Sequence, residues 1–477
     1  MTRISSPLTD IKDQYTVVVV GSGYGGGIAA SRLSRAGQSV CVLERGKEFL
    51  PGDFPDTMST LEKDVQLETP KGHDGPRSGL FDFHIGPDIN VLRGCGLGGT
   101  SLINANVALK AEPRVFDSEI WPAALRADLE TRLADGYRLA TEMLRPTPYP
   151  EDRPNVAKIA TLKRSAKALG EPFYRTPINV NFADLTKGNH VGVSQPPCND
   201  CGDCVSGCNH GSKNTTAMNY LPDAHNHGSE IFCEVLVDRV ERDGERWRVY
   251  YTAASEDRDK FDNPDMFVIA DIVVLGAGTL GSTEIMLRSA AAGLSVSECL
   301  GTRFSGNGDV LGFSYNNAEP VNGVGMGDLN PEDQEPVGPC ITSIIDAREK
   351  PRLDDGMVIE EGVIPGALAK LLPEIMEAAS ALIGKEKPIG LVAKAKEKLR
   401  IAESLLLGAR HGAVHHSQTY LVMAHDGAEG TMSLQEGRLS LTWPGVGAPT
   451  WRLPHGGKCH DWRCRSQRTC LCKEWRH

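Results

Sequence analysis

Tyr15-Thr16-Val17-Val18-Val19-Val20 is a β-branched, almost wholly apolar run, as suits a central parallel strand covered on both faces. It ends directly in Gly21-Ser22-Gly23-Tyr24-Gly25-Gly26, which satisfies G-x-G-x-x-G. Ile28 to Ala36 has a helical pattern closed by Gly37, and Ser39-Val40-Cys41-Val42-Leu43 is a second apolar strand ending in Glu44. In such a unit the first glycine permits a tight turn, and the second lets backbone N–H groups approach a diphosphate. The third lets the helix pack close to the strand, with the helix N-terminus facing the anion. Glu44 is placed to accept hydrogen bonds from both ribose hydroxyls of an adenosine, and it would repel the 2′-phosphate of NADP. Gly21, Gly23, Tyr24, Gly25, Gly26, Glu44 and Arg45 are therefore candidate cofactor contacts. This pattern alone does not separate FAD from NAD.

A second glycine turn follows about 70 residues on, Gly94-Cys95-Gly96-Leu97-Gly98-Gly99-Thr100-Ser101-Leu102-Ile103-Asn104. A second backbone-exposing loop at that distance suits a ligand longer than a mononucleotide. Continued through Ala105-Asn106-Val107-Ala108 to Ala111 and Asp117, it resembles the first signature of the glucose–methanol–choline (GMC) family of flavin oxidoreductases. Phe267 to Glu284, centred on Leu275-Gly276-Ala277-Gly278, is similar to the family's second signature. It is expected to form a strand pair, a glycine turn and a helix, and it departs from the family pattern at Thr283 and Ala290-Ala291.

Within the family, Cys198 to Tyr220 and His415 to Gly447 look most like bacterial cholesterol-oxidase-like members, and the resemblance spans roughly residues 14 to 448. It implies FAD as cofactor and an α/β fold. A Rossmann-like FAD-binding domain (14–130 and 210–310) would interleave with an α+β substrate domain built on an antiparallel sheet (131–197 and 311–448). It further implies that Gly94, Gly98, Gly99, Thr100, Asn104 and Asn106 meet the diphosphate and flavin, and that Gly276, Ala277 and Gly278 return to the flavin. Val235, following Cys233-Glu234 on a strand, would contact the adenosine through its backbone.

The chemistry the resemblance implies is oxidation of a CH–OH group: a base takes the hydroxyl proton while hydride leaves for flavin N5, and oxygen or another acceptor removes the electrons. Glu360, in Val358-Ile359-Glu360-Glu361-Gly362, stands where sterol-oxidising relatives show a carboxylate over the substrate. A solvated surface acid is the plainer interpretation, and the adjacent Glu361 leaves the alignment open by one residue. His415, His416 and His425 lie on an expected strand leading to a turn, and a structural role is favoured for each. Glycine density from Asn307 onwards suggests a curved antiparallel sheet. Ala367 to Ile383 and Pro388 to Leu407 have helical patterns suited to an apolar cover for a sterol or other bulky alcohol.

Cys198, Cys201, Cys204 and Cys208 follow a C-x2-C-x2-C-x3-C spacing close to that of bacterial ferredoxins, with Asn209 where those carry Pro. Three interpretations stay open: an iron–sulfur cluster passing electrons from reduced flavin, a structural zinc, or free buried thiols. Lys plus Arg is 51 against 62 Asp plus Glu, a net charge of −11, which disfavours nucleic acid as a partner. No apolar run approaches the about 20 residues of a membrane span. The polar start lacks the features of a secretory leader, so a cytoplasmic location is expected.

From Pro449 onwards the composition changes: seven Lys/Arg against two Asp/Glu, with four Cys and three Trp. The family's C-terminal His-Pro-Leu-Gly-Gly-like motif is not found, and His455-Gly456-Gly457 lacks its context. The expectation is truncation or a reading-frame change near residue 448, leaving a chain that binds FAD weakly or not at all and turns over little. The alternatives are a metal-binding tail built on Cys459, His460, Cys464, Cys470 and Cys472, and an inactive flavin-fold remnant.

Overall fold

A computed structural model describes residues 2–254, 266–383, 391–444, 446 and 469–471. Gln14–Val20 forms the inner strand that its β-branched run predicts, with Val17, Val18 and Val19 wholly buried. It pairs in parallel with Val40–Leu43 on one side and Met266–Leu275 on the other. The full sheet runs Glu230–Phe232, Val40–Leu43, Gln14–Val20, Met266–Leu275, Arg246–Ala253, Val235–Asp243. The first four strands are parallel and the last two antiparallel to their neighbours. Helix Tyr24–Arg35 starts within the first glycine turn, covers one face through Ala30, and packs on helix Tyr220–Asn226. This is the Rossmann-like half.

The expected strand pair at Phe267 to Leu275 is instead one ten-residue strand, Met266–Leu275. Its early residues pair antiparallel with Arg246–Ala253 while its later ones pair parallel with Gln14–Val20. Partners on opposite edges remove any need for a break. Helix Gly278–Ala291 follows the Gly276-Ala277 turn.

The second large sheet runs Val310–Ser314, Gln418–Ala424, Met357–Gly362, Ser343–Ala347, Phe173–Arg175, antiparallel throughout. Thr469–Leu471 adds a parallel edge strand beside Val310–Ser314; the rest of the anomalous tail lies outside the described residues. Helix Ala157–Leu169 covers one face of the sheet, setting Leu162 and Ala166 against Ile345, Met357, Ile359 and Tyr420. Each such side chain removed from water contributes about 1.5–3 kcal/mol.

A smaller sheet of Gly72–Asp74, Val65–Thr69, Phe81–Ile85 and Asn90–Gly94 delivers the second glycine turn at its final residue. Helices Leu372–Ile383 and Leu391–Leu407 form where helical patterns are expected, the first starting five residues after Ala367, but neither lines the trough; they pack on Tyr315, Val324 and Val414, and Pro388 lies outside the described residues. His415 departs from expectation, closing a short helix, Gly412–His415, before the strand Gln418–Ala424 begins. Its backbone is needed there, because the His415 carbonyl accepts from the N–H groups of Val321 and Asn322, both at 3.0 Å. Among the described residues no helix is long and apolar enough to cross a membrane.

Candidate active site

The two glycine turns meet. Gly21 has φ +88°, and a Cβ there would stand 2.6 Å from the Gly276 carbonyl oxygen, so only glycine fits at this crossing of turns. A Cβ on Gly26 would lie 1.9 Å from the Gly21 oxygen, which is the close helix–strand approach expected of the third glycine. Gly99 brings in the second turn: its Cβ would come within 2.8 Å of the Gly23 Cα. Ser22 fastens the turns together, since its Oγ accepts from the Gly98 N–H at 2.9 Å and donates to Glu44 Oε2 at 2.5 Å. Gly25, by contrast, has no neighbour within 4 Å of a built Cβ, so the helix N-terminus opens onto free space.

That space is a trough of about 1420 Å³ lined by residues 21–25, 44–45, 90–95, 99–101, 235–237, 276–281 and 304–307, with Asp309, Leu311 and Leu421 further along. A drug-sized site encloses about 300–1,000 Å³, so this one has room for an extended dinucleotide. Gly21, Gly23, Tyr24, Gly25, Glu44, Arg45, Gly94, Gly99, Thr100, Val235, Gly276, Ala277 and Gly278 all line it. Gly26, Gly98, Asn104 and Asn106 stand behind the wall. The Val235 N–H donates to the Glu44 carbonyl at 2.9 Å, leaving Leu236 and Val237 as further wall beside it.

Glu44 is 6% exposed, and its carboxylate accepts from the N–H groups of Ser22 at 3.0 Å and Gly46 at 2.8 Å. A carboxylate has about four acceptor positions; with the Ser22 hydroxyl three are filled, and one is left for a ribose hydroxyl. Arg45 pairs with the buried Asp82, which Arg93 also reaches at 2.8 Å. Burial raises the Asp82 carboxyl, but the two guanidinium groups outweigh it and hold it below its ordinary range. Asn104 Nδ2 donates to the Tyr24 hydroxyl at 3.1 Å. Asn106 is wholly buried with neither side-chain atom partnered. Backbone cradle, acid and open helix terminus together fit the adenosine diphosphate half of FAD.

Sequence patterns missed the Asn90–Arg93 edge, Val237 and Ser305–Asn307. They reach the trough only through tertiary folding, the last held by Asp426, whose Oδ2 accepts from the Gly306 N–H at 2.8 Å and the Gly308 N–H at 3.0 Å. No local signal marks them.

Glu360 and Glu361 occupy opposite faces of strand Met357–Gly362, as the pleat requires. Glu361 pairs with Lys158 at 3.0 Å, both side chains wholly buried, and also accepts from the N–H groups of Thr342 at 3.0 Å and Ser343 at 3.0 Å. Glu360 pairs in register with Leu421, which lines the trough. It is 1% exposed and its Oε1 has no partner. Burial first, then the charges of Glu361 and Asp309, push its carboxyl up to about 8. Glu360 does not itself line the trough, and the solvated-acid interpretation is corrected: it is a buried acid beside a lining residue.

None of His415, His416 and His425 lines the trough. His416 Nδ1 lies 3.0 Å from the Asn317 carbonyl, and burial holds its pKa low.

The four cysteines do not gather as a ligand set, and among the described residues no group of three or more His, Cys, Asp or Glu side chains is placed to hold a metal. The loop turns through positive φ at Asp200, Gly202 and Gly207. Cys198 Sγ accepts from the Asp200 N–H at 3.4 Å and Cys204 Sγ from the Cys340 N–H at 3.4 Å, while Cys201 packs against the cluster of Met326, Val337 and Val363. Burial pushes the thiols of Cys198, Cys201 and Cys204 up.

The chain is 30% identical over 359 residues to a cholesterol oxidase of Mycobacterium tuberculosis, covering 70% of this chain and 57% of that protein. It is 28% identical over 281 residues to a long-chain-alcohol oxidase of Arabidopsis thaliana, covering 57% and 34%. It thus spans little more than half the length of the cholesterol oxidase it matches. A solved fungal aryl-alcohol oxidase shares the fold, with TM-score 0.51 and 16% identity over 91% of this chain and 80% of that one. The sequence pattern of the family described as GMC oxidoreductase matches residues 25–305, and the chain belongs to that family.

Proposed function

We propose that the chain binds FAD along the trough and oxidises a CH–OH group of a bulky apolar alcohol, a sterol being the favoured class. The observation that carries the reading is Glu360, a buried carboxyl with an unpartnered oxygen, in register with Leu421 at the end of the trough. A group in this state is costly to fold around, and a ligand hydroxyl would supply the missing partner. FAD, when bound, supplies the hydride acceptor.

The chain's own residues do the rest. The backbone at residues 21–25 and 99–101 cradles the diphosphate, with the helix N-terminus facing it. Glu44 orients the adenosine ribose. Ionised Glu360 takes the hydroxyl proton of the substrate, and Leu311 and Leu421 keep that end of the trough apolar. The similarity to proteins named as oxidases supports oxygen as the electron acceptor.

Anaerobic addition of cholesterol and of long-chain primary alcohols to the FAD-loaded chain tests this. Bleaching of the flavin absorbance by an apolar alcohol, slowed strongly by Glu360→Gln, is the expected result. A loaded chain whose flavin no alcohol bleaches would contradict the reading.

A further inference from the structure

Helix Leu391–Leu407 carries an apolar stripe on the side facing away from the protein. The inward side is set by Ile401, packed against the cluster of Tyr315, Leu372 and Met376, by the buried Ser404, and by Arg400, which bonds to Asn316. At about 100° per residue, Val392, Ala395, Leu399, Ala402 and Leu406 fall within an arc of about 80° on the opposite side. All five are exposed, Val392 at 73%, Leu399 at 69% and Leu406 at 83%. Lys396 borders the stripe on one side and Lys398 on the other, with Lys394 beyond it, and all three are exposed. The neighbouring helix Leu372–Ile383 adds Ile375 and Ala378, and Leu371 just before it is exposed too.

Two occupants suit a stripe repeating every three and four residues: another helix, or a bilayer. Knobs-into-holes packing wants bulky side chains at both positions of the repeat, and here every second one is alanine. The last turn, Leu405-Leu406-Leu407, is exposed round most of its circumference, which suits immersion better than a narrow seam. The charge pattern points the same way. The chain as a whole is at −11, whereas this helix carries four basic residues against two acidic ones, and its outward lysines flank the apolar stripe. Lysines so placed lay their stems along an apolar surface and lift their ammonium groups to anionic headgroups.

We propose that this helix docks the protein on an anionic lipid bilayer, with Val392, Leu399 and Leu406 entering the headgroup–acyl boundary and Lys394, Lys396 and Lys398 meeting lipid phosphates and carboxylates. The proposal is independent of what the trough oxidises. The test is flotation of the full chain with vesicles of phosphatidylcholine, alone and with phosphatidylserine, beside size-exclusion chromatography. The wild type should float with the serine-containing vesicles and be released by high salt. Leu399→Asp with Leu406→Asp should lower that binding by at least about tenfold. Lys394→Glu, Lys396→Glu and Lys398→Glu together should abolish the preference for anionic lipid. Because these side chains are exposed, the variants should keep the wild-type thermal unfolding, which serves as the check on folding. Equal flotation of wild type and the double aspartate variant, or no flotation of the wild type, would overturn the proposal. So would a wild-type dimer that the double variant converts to monomer, which would give the stripe to a second copy of the chain.

Discussion

Lys158 reaches 3.0 Å from Glu361 with both side chains shut off from solvent, and the ammonium also donates to the Pro339 carbonyl at 2.8 Å. The pair fastens helix Ala157–Leu169 to strand Met357–Gly362. It thereby fixes which face of that strand Glu360 presents. Removing one member of such a pair strands the other charge. Lys158→Met should therefore cost about 3–5 kcal/mol in urea unfolding, and Lys158→Met with Glu361→Leu should recover much of that loss. A double-variant loss equal to the sum of the losses of Lys158→Met and Glu361→Leu alone would show that the pair is not coupled.

The raised carboxyl of Glu360 makes a stability prediction. Its pKa moves from 4.5 to about 8 on folding, so the native state holds a proton that the unfolded chain gives up once pH exceeds 4.5. The stability contributed by this group is complete below pH 4.5 and is lost as pH rises through about 8. Glu360→Gln should remove that loss, stabilising the protein by up to about 5 kcal/mol above pH 8 and having little effect at pH 4. Urea titrations at the two pH values would show it.

The same residue sets the pH dependence of turnover. A base must be ionised, so kcat/KM should climb with pH and level off above about 8. Glu360→Gln should cut the rate by about 10²–10⁴ and flatten that rise. An unchanged profile in the variant would remove Glu360 from the proton transfer.

Gly26 is predicted to be structural. The 1.9 Å approach of a built Cβ to the Gly21 oxygen leaves a methyl group nowhere to go without moving backbone. Gly26→Ala should cost about 2–3 kcal/mol, visible as a lowered urea midpoint without ligand.

Where a signal is local, the sequence carries the structure. Residues 15–44 show the strand, turn, helix and second strand in order because β-branched burial, glycine spacing and helical periodicity each act over a few residues. The failures are tertiary. Met266–Leu275 looks like two strands because its two ends serve different neighbours. His415 looks strand-like until the turn it closes captures Val321 and Asn322. Glu360 and Glu361 are interchangeable in the sequence, and only Lys158, some 200 residues away, distinguishes them. The cysteine spacing is that of a ligand set, yet Cys204 accepts from Cys340 and Cys201 packs among Met326, Val337 and Val363, partners more than a hundred residues on. The trough wall at Asn90–Arg93 and Ser305–Asn307 has no motif at all.

The central claim is that the two glycine turns jointly hold the diphosphate of FAD. Gly23 is the position to probe, because a Cβ there comes no closer than 4.0 Å to the rest of the protein, the neighbour being the Gly99 Cα, while facing the trough. Equilibrium titration of wild type and Gly23→Ala with FAD and with FMN, which lacks the adenosine half, is the most direct measurement. Wild type should prefer FAD to FMN by at least about tenfold, and Gly23→Ala should lose that preference while unfolding at the wild-type urea midpoint. Equal affinity of wild type and variant for FAD, or no preference of wild type for FAD over FMN, would contradict it.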